Sequence, residues 1–254
     1  MQLTALPALE DNYIWHLADV SGRWLVVDPG DAGPVLAAAG EGPAPEAIVL
    51  THHHGDHVAG VGALRARWPQ VPVYGPADPR MASLVDRPVD DGARIQAGPW
   101  TFQVLAVPGH TRSHLAFHGH GLLFSGDTLF SLGCGRLFEG TPRDMLAALD
   151  RLASLPPDTL VCCGHEYTLA NAAFACVVDP DNAALRRRQE EALAMRASAR
   201  PTVPSTLAEE LDCNPFLRID APAVRDAVLA REPDAGDRTG VFAALRRWKD
   251  GFRA

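Results

Sequence analysis

Four apolar runs in this 254-residue chain each lead into a residue that can ligate a metal, and that recurrence constrains the fold most tightly. Ala47-Ile48-Val49-Leu50 leads into Thr51-His52-His53-His54-Gly55-Asp56-His57, and Val104-Leu105-Ala106-Val107 leads through Pro108-Gly109 to His110. Leu122-Leu123-Phe124-Ser125-Gly126 leads to Asp127, and Leu160-Val161-Cys162-Cys163-Gly164 to His165. Such runs read as short buried strands ending in loops, and loops at strand ends are where positioned functional groups sit. In the last three a glycine directly precedes the ligand, allowing a sharp turn and a close backbone approach. Within the heptapeptide, extended backbone would direct His52, His54 and Asp56 to one face and His57 to another, an arrangement suited to two ions side by side. Taken singly, each ending has a plainer explanation: a solvated histidine turn, a hydrogen-bonded structural histidine, or an aspartate turn former. Four together favour a metal centre.

Composition narrows the classes. Apolar residues make up 47% and charged residues 21%, the profile of a soluble globular protein with room for one large domain or two smaller ones. A net charge of -8 gives no electrostatic footprint for nucleic acid or an anionic membrane. No apolar run approaches the roughly 20 residues needed to span a bilayer, and Met1 to Glu10 lacks the basic-then-apolar pattern of a secretory signal. The five cysteines, Cys134, Cys162, Cys163, Cys176 and Cys213, are odd in number and show no framework spacing. They are expected as free thiols in a reducing compartment, hence a cytoplasmic protein.

Along the chain, Asn12 to Leu17 and Trp24 to Val27 read as a hairpin pair turned through Ser21-Gly22, followed by a short Ala-rich helix with Pro34 in its first turn. Val58 to Trp68 reads as a helix stopped before Pro69, and Val71 to Tyr74 as a strand. Residues 102–107, 115–118 and 122–125 have the spacing of a meander; 143–155 is helical and 159–163 a final buried strand. Beyond Gly164, helical patterns at 168–178, 182–199 and 241–252 dominate. The expected division is a metal-binding catalytic domain over 1–168 and a smaller helical substrate-binding domain over 169–254.

Thr51-His52-x-His54-x-Asp56-His57, with Gly109-His110, Gly126-Asp127 and Gly164-His165, resembles the metallo-β-lactamase superfamily. The resemblance implies an α+β fold: an αββα sandwich with a dinuclear site on its edge, followed here by the helical domain. It implies that His52, His54 and His110 hold one ion, that Asp56, His57 and His165 hold the second, and that Asp127 bridges them. Gly126-Asp127-Thr128-Leu129-Phe130, Gly133-Cys134-Gly135-Arg136, Gly164-His165-Glu166-Tyr167-Thr168 and Asn214-Pro215-Phe216-Leu217-Arg218 are similar to the glyoxalase II, or hydroxyacylglutathione hydrolase, family, over nearly the whole chain.

Imidazole and carboxylate donors without cysteine suit two divalent ions per chain, zinc first, with iron or manganese also compatible. The family implies hydrolysis of S-D-lactoylglutathione, an S-2-hydroxyacylglutathione, to glutathione and D-lactate in methylglyoxal detoxification, by a metal-bridging hydroxide that Asp56 helps to hold. A glutathione thiolate leaves readily, so neither a strong general acid nor a Ser or Cys nucleophile is needed. By the same resemblance Arg136, Tyr167, Arg246 and Lys249 contact the anionic glutathione. Arg246 and Lys249 are three apart and share a helix face, although Arg246-Arg247-Trp248-Lys249 by itself reads first as a solvated face. The family often has Tyr at the position of Phe138, which cannot donate a hydrogen bond, so glutathione affinity is expected to be lower or redistributed. Ser113 stands where Gly is common, His114 could orient a ligand or serve structure, His53 turns away from the ligand face, and His16, His118 and His120 have no motif support.

The partner is thus a small-molecule thioester, with no nucleic acid or membrane, and a monomer is expected. The rival enzyme is the persulfide dioxygenase branch of the superfamily, with a single iron and a shorter C-terminal region. A nuclease is disfavoured by the acidic balance, and a non-catalytic scaffold by the presence of all seven inferred ligands.

Overall fold

Trp24-Leu25-Val26-Val27 is buried at every position, as an unbroken apolar run must be when it lies inside a sheet covered on both faces. The computed structural model describes residues 1–253, which divide into two compact units. The first comprises Met1–Ala106, Ser113–Gly126 and Cys162–His165; the second comprises Val107–Arg112, Asp127–Val161 and the chain from Glu166 onward.

In the first unit, β1 (Gln2–Ala8), β2 (Asn12–Ala18) and β3 (Trp24–Val27) run antiparallel, with Ala8 opposite Asn12 across the first turn and Trp15 opposite Val27. Helix α1 (Ala32–Ala39) crosses over to β4 (Ile48–Val49), which pairs parallel to β3. Its N-cap Asp31 accepts from the Gly33 N–H at 2.9 Å, satisfying a donor the helix leaves open. Helices α2 (Gly55–Val58) and α3 (Val61–Arg67) cross to β5 (Val73–Pro76), and β6 (Arg87–Val89) closes the sheet in the order β1-β2-β3-β4-β5-β6. Val35, Val61 and Leu64 from the crossover helices pack on Val26, Ile48 and Val73. This apolar layer fixes β4, two residues long and central, so the heptapeptide leaves from a rigid base.

The second sheet is a meander. β7 (Arg94–Ala97), β8 (Trp100–Ala106), β9 (Leu115–Gly119) and β10 (Leu122–Gly126) follow one another antiparallel. The two-residue link His120-Gly121 has φ of 56° and 73°, both left-handed, which is the type I′ geometry that matches strand twist. The strand β11 (Leu129–Phe130) pairs with β12 (Gly133–Cys134) in the second unit. There too lies α4 (Pro142–Ala153), started by a Thr141/Asp144 capping box with Pro at the first position.

β13 (Leu160–Cys163) passes from the second unit into the first, its Cys162–Cys163 end joining the meander beside β10. Helices α5 (Thr168–Val178) and α6 (Ala183–Ala197) follow, then β14 (Ser205–Thr206), which pairs with Leu160–Val161. Helices α7 (Leu207–Cys213), α8 (Pro222–Arg231) and α9 (Arg238–Gly251) complete the second unit. Its core is aromatic: Phe174 meets Phe216 at 6.3 Å and Trp248 at 5.5 Å, and Phe216 meets Phe242 at 5.9 Å between ring centroids.

The sequence reading placed most of these elements and missed some. β1 is a partly exposed edge strand containing Pro7, and β6 is likewise exposed with Pro88, so neither shows clean alternation. The single helix expected over Val58 to Trp68 breaks at Ala59-Gly60, where a Cβ on Gly60 would lie 2.5 Å from the Pro29 carbonyl oxygen and 2.7 Å from the Ala32 nitrogen. All five cysteines are free thiols. Among the described residues no helix is long and apolar enough to cross a membrane.

Candidate metal centre

Thr51 and His52 continue from β4 into the interior and are fully buried. His54 is still extended, with φ -61° and ψ 143°, but it caps α2, so Asp56 and His57 lie on a helical turn. The extended alternation read from the sequence therefore stops at His54. Asp56 shares its position with His57 rather than with His52 and His54: one donor atom each from Asp56, His57 and His165 lies within 4.8 Å of the other two. The Asp56 carboxylate Oδ2 is 3.5 Å from His57 Nε2 and 3.4 Å from His165 Nε2. Gly30 is what lets this turn descend, because a Cβ there would sit 1.7 Å from the Asp56 carbonyl oxygen.

Three imidazoles of the first unit, those of His52, His57 and His165, are held through Nδ1. Asp28 Oδ1 accepts from the Thr51 N–H at 2.8 Å, and Oδ2 accepts from the Thr51 hydroxyl at 2.7 Å and faces His57 Nδ1 at 3.0 Å. Having donated its one proton to Asp28, the Thr51 hydroxyl must accept from His52 Nδ1, 3.0 Å away. His165 Nδ1 faces Asp11 Oδ1 at 2.7 Å. These contacts assign the proton of His52, His57 and His165 to Nδ1 and leave Nε2 as the donor lone pair. Carboxylates and hydroxyls in this position raise imidazole basicity and fix ring orientation. Asp28, His52 and His57 also form a buried group with donor atoms within 4.8 Å. Asp28, already accepting from Thr51 and His57, is the orienting member of that group. His114 is fully buried and stacks on His52 at 4.6 Å and 19°.

In the second unit, His110 Nε2 lies 3.3 Å from Asp127 Oδ2, and both residues are buried. His110 Nδ1 donates to the Arg136 carbonyl oxygen at 2.9 Å, so this ring also presents Nε2. Gly135 permits the approach: a Cβ there would lie 1.9 Å from the Asp127 carbonyl oxygen and 3.3 Å from His110 Nδ1. Phe138 is exposed and its ring stands 5.1 Å from that of His110.

Four side chains expected at the substrate sit in the second unit. Arg136 is exposed, with Nε 3.9 Å from Asp250, and Tyr167 is partly exposed with its ring 5.3 Å from Phe130. Arg246 is buried: Nη1 donates to the Cys134 carbonyl oxygen at 2.8 Å, Nη2 meets Asp250 at 2.9 Å, and the guanidinium lies over Phe216. Lys249 donates to the Ala170 carbonyl oxygen at 3.2 Å and lies over Phe174. Burial, then repulsion by Arg246 and Arg136, lowers its pKa to about 8. The solvated face read from Arg246-Arg247-Trp248-Lys249 thus holds for Arg247, which is exposed and paired with Glu232, and not for Arg246.

The donor set fits divalent ions of the zinc type, being imidazole nitrogens and carboxylate oxygens brought together in small groups. The thiols do not compete, since burial pushes Cys134 up to about 11 and Cys213 up to about 12, and raises Cys162 well above the ordinary value. Sequence reading missed Asp11, Asn12 and Asp28; Asp11 and Asp28 sit in turn-like contexts, where a carboxylate reads first as a turn former.

Residues 14–165 match the family model for the metallo-beta-lactamase superfamily, and residues 166–252 match that for the hydroxyacylglutathione hydrolase C-terminus. A hydroxyacylglutathione hydrolase from Xanthomonas axonopodis pv. citri (strain 306) is 59% identical over 256 residues, covering 100% of both chains. One from Xanthomonas campestris pv. campestris (strain B100) is 60% identical with the same coverage. Among solved structures, the BLEG-1 B3 metallo-beta-lactamase aligns with a TM-score of 0.64 at 25% identity, covering 85% of this chain and 99% of the other.

Proposed function

The chain belongs to the hydroxyacylglutathione hydrolase family of the metallo-β-lactamase superfamily, and on that premise we propose that it hydrolyses S-2-hydroxyacylglutathione thioesters. S-D-lactoylglutathione is the proposed substrate, giving glutathione and D-lactate as in methylglyoxal detoxification. The observation that carries this reading is the full-length likeness at 59% identity, because it includes the helical part beyond the fold common to the superfamily. The match over 166–252 also favours the hydrolase over a persulfide dioxygenase.

His52, His54, Asp56, His57, His110, Asp127 and His165 would hold two divalent ions, zinc before iron or manganese. Ions in such a set supply water acidified toward ~7 and Lewis-acid pull on an acyl carbonyl oxygen. The protein's own residues do the positioning. Asp56, half-buried and facing His57 and His165, is the proposed catalytic residue, its carboxylate orienting the attacking water. Arg136, Lys249 and the Tyr167 hydroxyl would receive the glutathione carboxylates. Arg246, committed to Cys134 and Asp250, would add charge from behind and hold the chain that carries Arg136. The departing thiolate belongs to a thiol of pKa ~8.5 and leaves without a general acid. Residues 1–168 would supply the metal chemistry together with Arg136 and Tyr167, and the helical substrate-binding part over 169–254 would add Arg246 and Lys249, in a cytoplasmic monomer.

Purified protein assayed with S-D-lactoylglutathione while metals per chain are counted tests the reading. His54→Ala and Asp127→Ala should lose metal and turnover together. Two bound metals without thioester hydrolysis would reject the substrate, and near-normal turnover by metal-depleted protein would reject the metal chemistry. Oxygen consumption with glutathione persulfide would favour the dioxygenase.

A further inference from the structure

The hairpin turn between β1 and β2 places two polar side chains against the Asp56–His57–His165 group. Leu9 takes the left-handed conformation, φ 52°, that closes this short link, and Asn12 starts β2 opposite Ala8. Asp11 Oδ1 stands 2.7 Å from His165 Nδ1. Asn12 Nδ2 donates to Asp56 twice, to Oδ2 at 3.1 Å and to the backbone oxygen at 3.2 Å.

The turn is itself fastened to the chain that carries His165. Asn12 forms an antiparallel bridge with His165, the Tyr13 N–H donates to the Gly164 carbonyl oxygen at 2.8 Å, and Trp15 Nε1 donates to the Cys163 carbonyl oxygen at 2.9 Å. Asn12 and Trp15 are buried. A turn needs neither side chain to close; both carry their polar atoms to the same pair of residues instead. His52 and His110 are held by other groups, Thr51 and the Arg136 carbonyl.

We propose that Asp11 and Asn12 are positioning residues that set the affinity of one of the two metal positions, the one made by Asp56, His57 and His165. The proposal rests on the dinuclear reading above. Asp11 fixes the Nδ1–H tautomer of His165, so Nε2 keeps its lone pair for an ion. Asn12 pins the Asp56 carboxylate and the backbone of α2 in one movement.

Metal-depleted wild type, Asp11→Ala, Asp11→Asn and Asn12→Ala, all full-length, are titrated with Zn²⁺ against a chromophoric chelator. Bound zinc is counted by elemental analysis. Wild type takes two equivalents. Asp11→Ala and Asn12→Ala should weaken one equivalent by ~10–100-fold, the range for partners behind metal ligands, and leave the other within about threefold. Asp11→Asn keeps an acceptor for the His165 N–H and should fall between wild type and Asp11→Ala. Metal-free Asp11→Ala and Asp11→Asn should unfold near the wild-type midpoint, since Asp11 is half-exposed on a turn. Asn12→Ala, which loses two hydrogen bonds of a buried amide, should unfold somewhat lower. Both equivalents unchanged, or both weakened alike, would overturn the proposal. A single equivalent in wild type would overturn the dinuclear reading and this proposal with it, and is told apart because it precedes any substitution.

Discussion

Asp28→Asn isolates the role of one buried carboxylate without disturbing the backbone. Asp28 holds φ 52°, a left-handed conformation that Asn tolerates and most side chains do not. The carboxylate takes the Thr51 N–H on Oδ1 and both the Thr51 hydroxyl and His57 on Oδ2. An amide can keep its oxygen toward the hydroxyl and His57 only by turning its NH₂ against the Thr51 N–H. One charge-assisted bond, worth about 1.5–3 kcal/mol, is then lost, and two others fall to roughly half as their acceptor becomes neutral. The sum is about 3–6 kcal/mol, a large share of the ~5–15 kcal/mol a domain has in hand. Urea unfolding of metal-free wild type and Asp28→Asn measures it without any contribution from bound ions. Asp28→Ala, which loses all three bonds and adds left-handed strain of about 1–2 kcal/mol, should unfold at lower urea still. A loss below about 1 kcal/mol in Asp28→Asn would show that these bonds return nothing beyond their hydration, and the orienting role would fall.

Lys249 has a folded pKa of about 8, below its ordinary value, so between about 8 and the unfolded value near 10.4 the unfolded chain holds the extra proton and stability rises with pH. Substrate binding moves oppositely: KM for the anionic thioester should climb as pH passes about 8, and Lys249→Arg, charged throughout, should flatten that climb in a KM-versus-pH series. Burial raises the pKa of Glu210, which accepts from the Leu132 N–H at 2.7 Å and from Asn214 at 3.1 Å. Its stabilising contribution is therefore full below the unfolded carboxylate value and drains away as pH rises through the folded one, and Glu210→Gln should remove that decline from a thermal-midpoint-versus-pH curve. Gly135→Ala would set a Cβ 1.9 Å from the Asp127 carbonyl oxygen, so kcat/KM should fall at least ~10-fold, as expected when a support behind a ligand shifts, and an unchanged kcat/KM would contradict the packing around His110 and Asp127.

The strand endings were legible because apolar runs and Gly-preceded ligand residues are local signals: Gly126-Asp127 and Gly164-His165 need no tertiary context to be noticed. Asp11 and Asp28 were not. Asp28 finds Thr51 and His57, and Asp11 finds His165, only after strands distant in sequence pair. The alternation argued for the heptapeptide failed at Gly55, where a four-residue helix begins; so short a helix leaves no period to read. Helices α5 and α9 fall close to the expected 168–178 and 241–252 because their apolar spacing is sustained. α7 and α8 went unread although Thr206-x-x-Glu209 is a capping box and Pro222 opens a first turn. Arg246 reads as a surface charge in sequence, and becomes buried because the Cys134 carbonyl oxygen and the Phe216 ring give it somewhere to go.

The Nδ1 contacts of His52, His57 and His165 decide which nitrogen each ring can offer to an ion. Most metal-dependent chains must deprotonate or reorganise ligands as the ion arrives. Here the contacts of Thr51, Asp28 and Asp11 place the ring proton of the three histidines on the side away from Nε2. An ion arriving at Nε2 of these rings would therefore need no change of tautomer first.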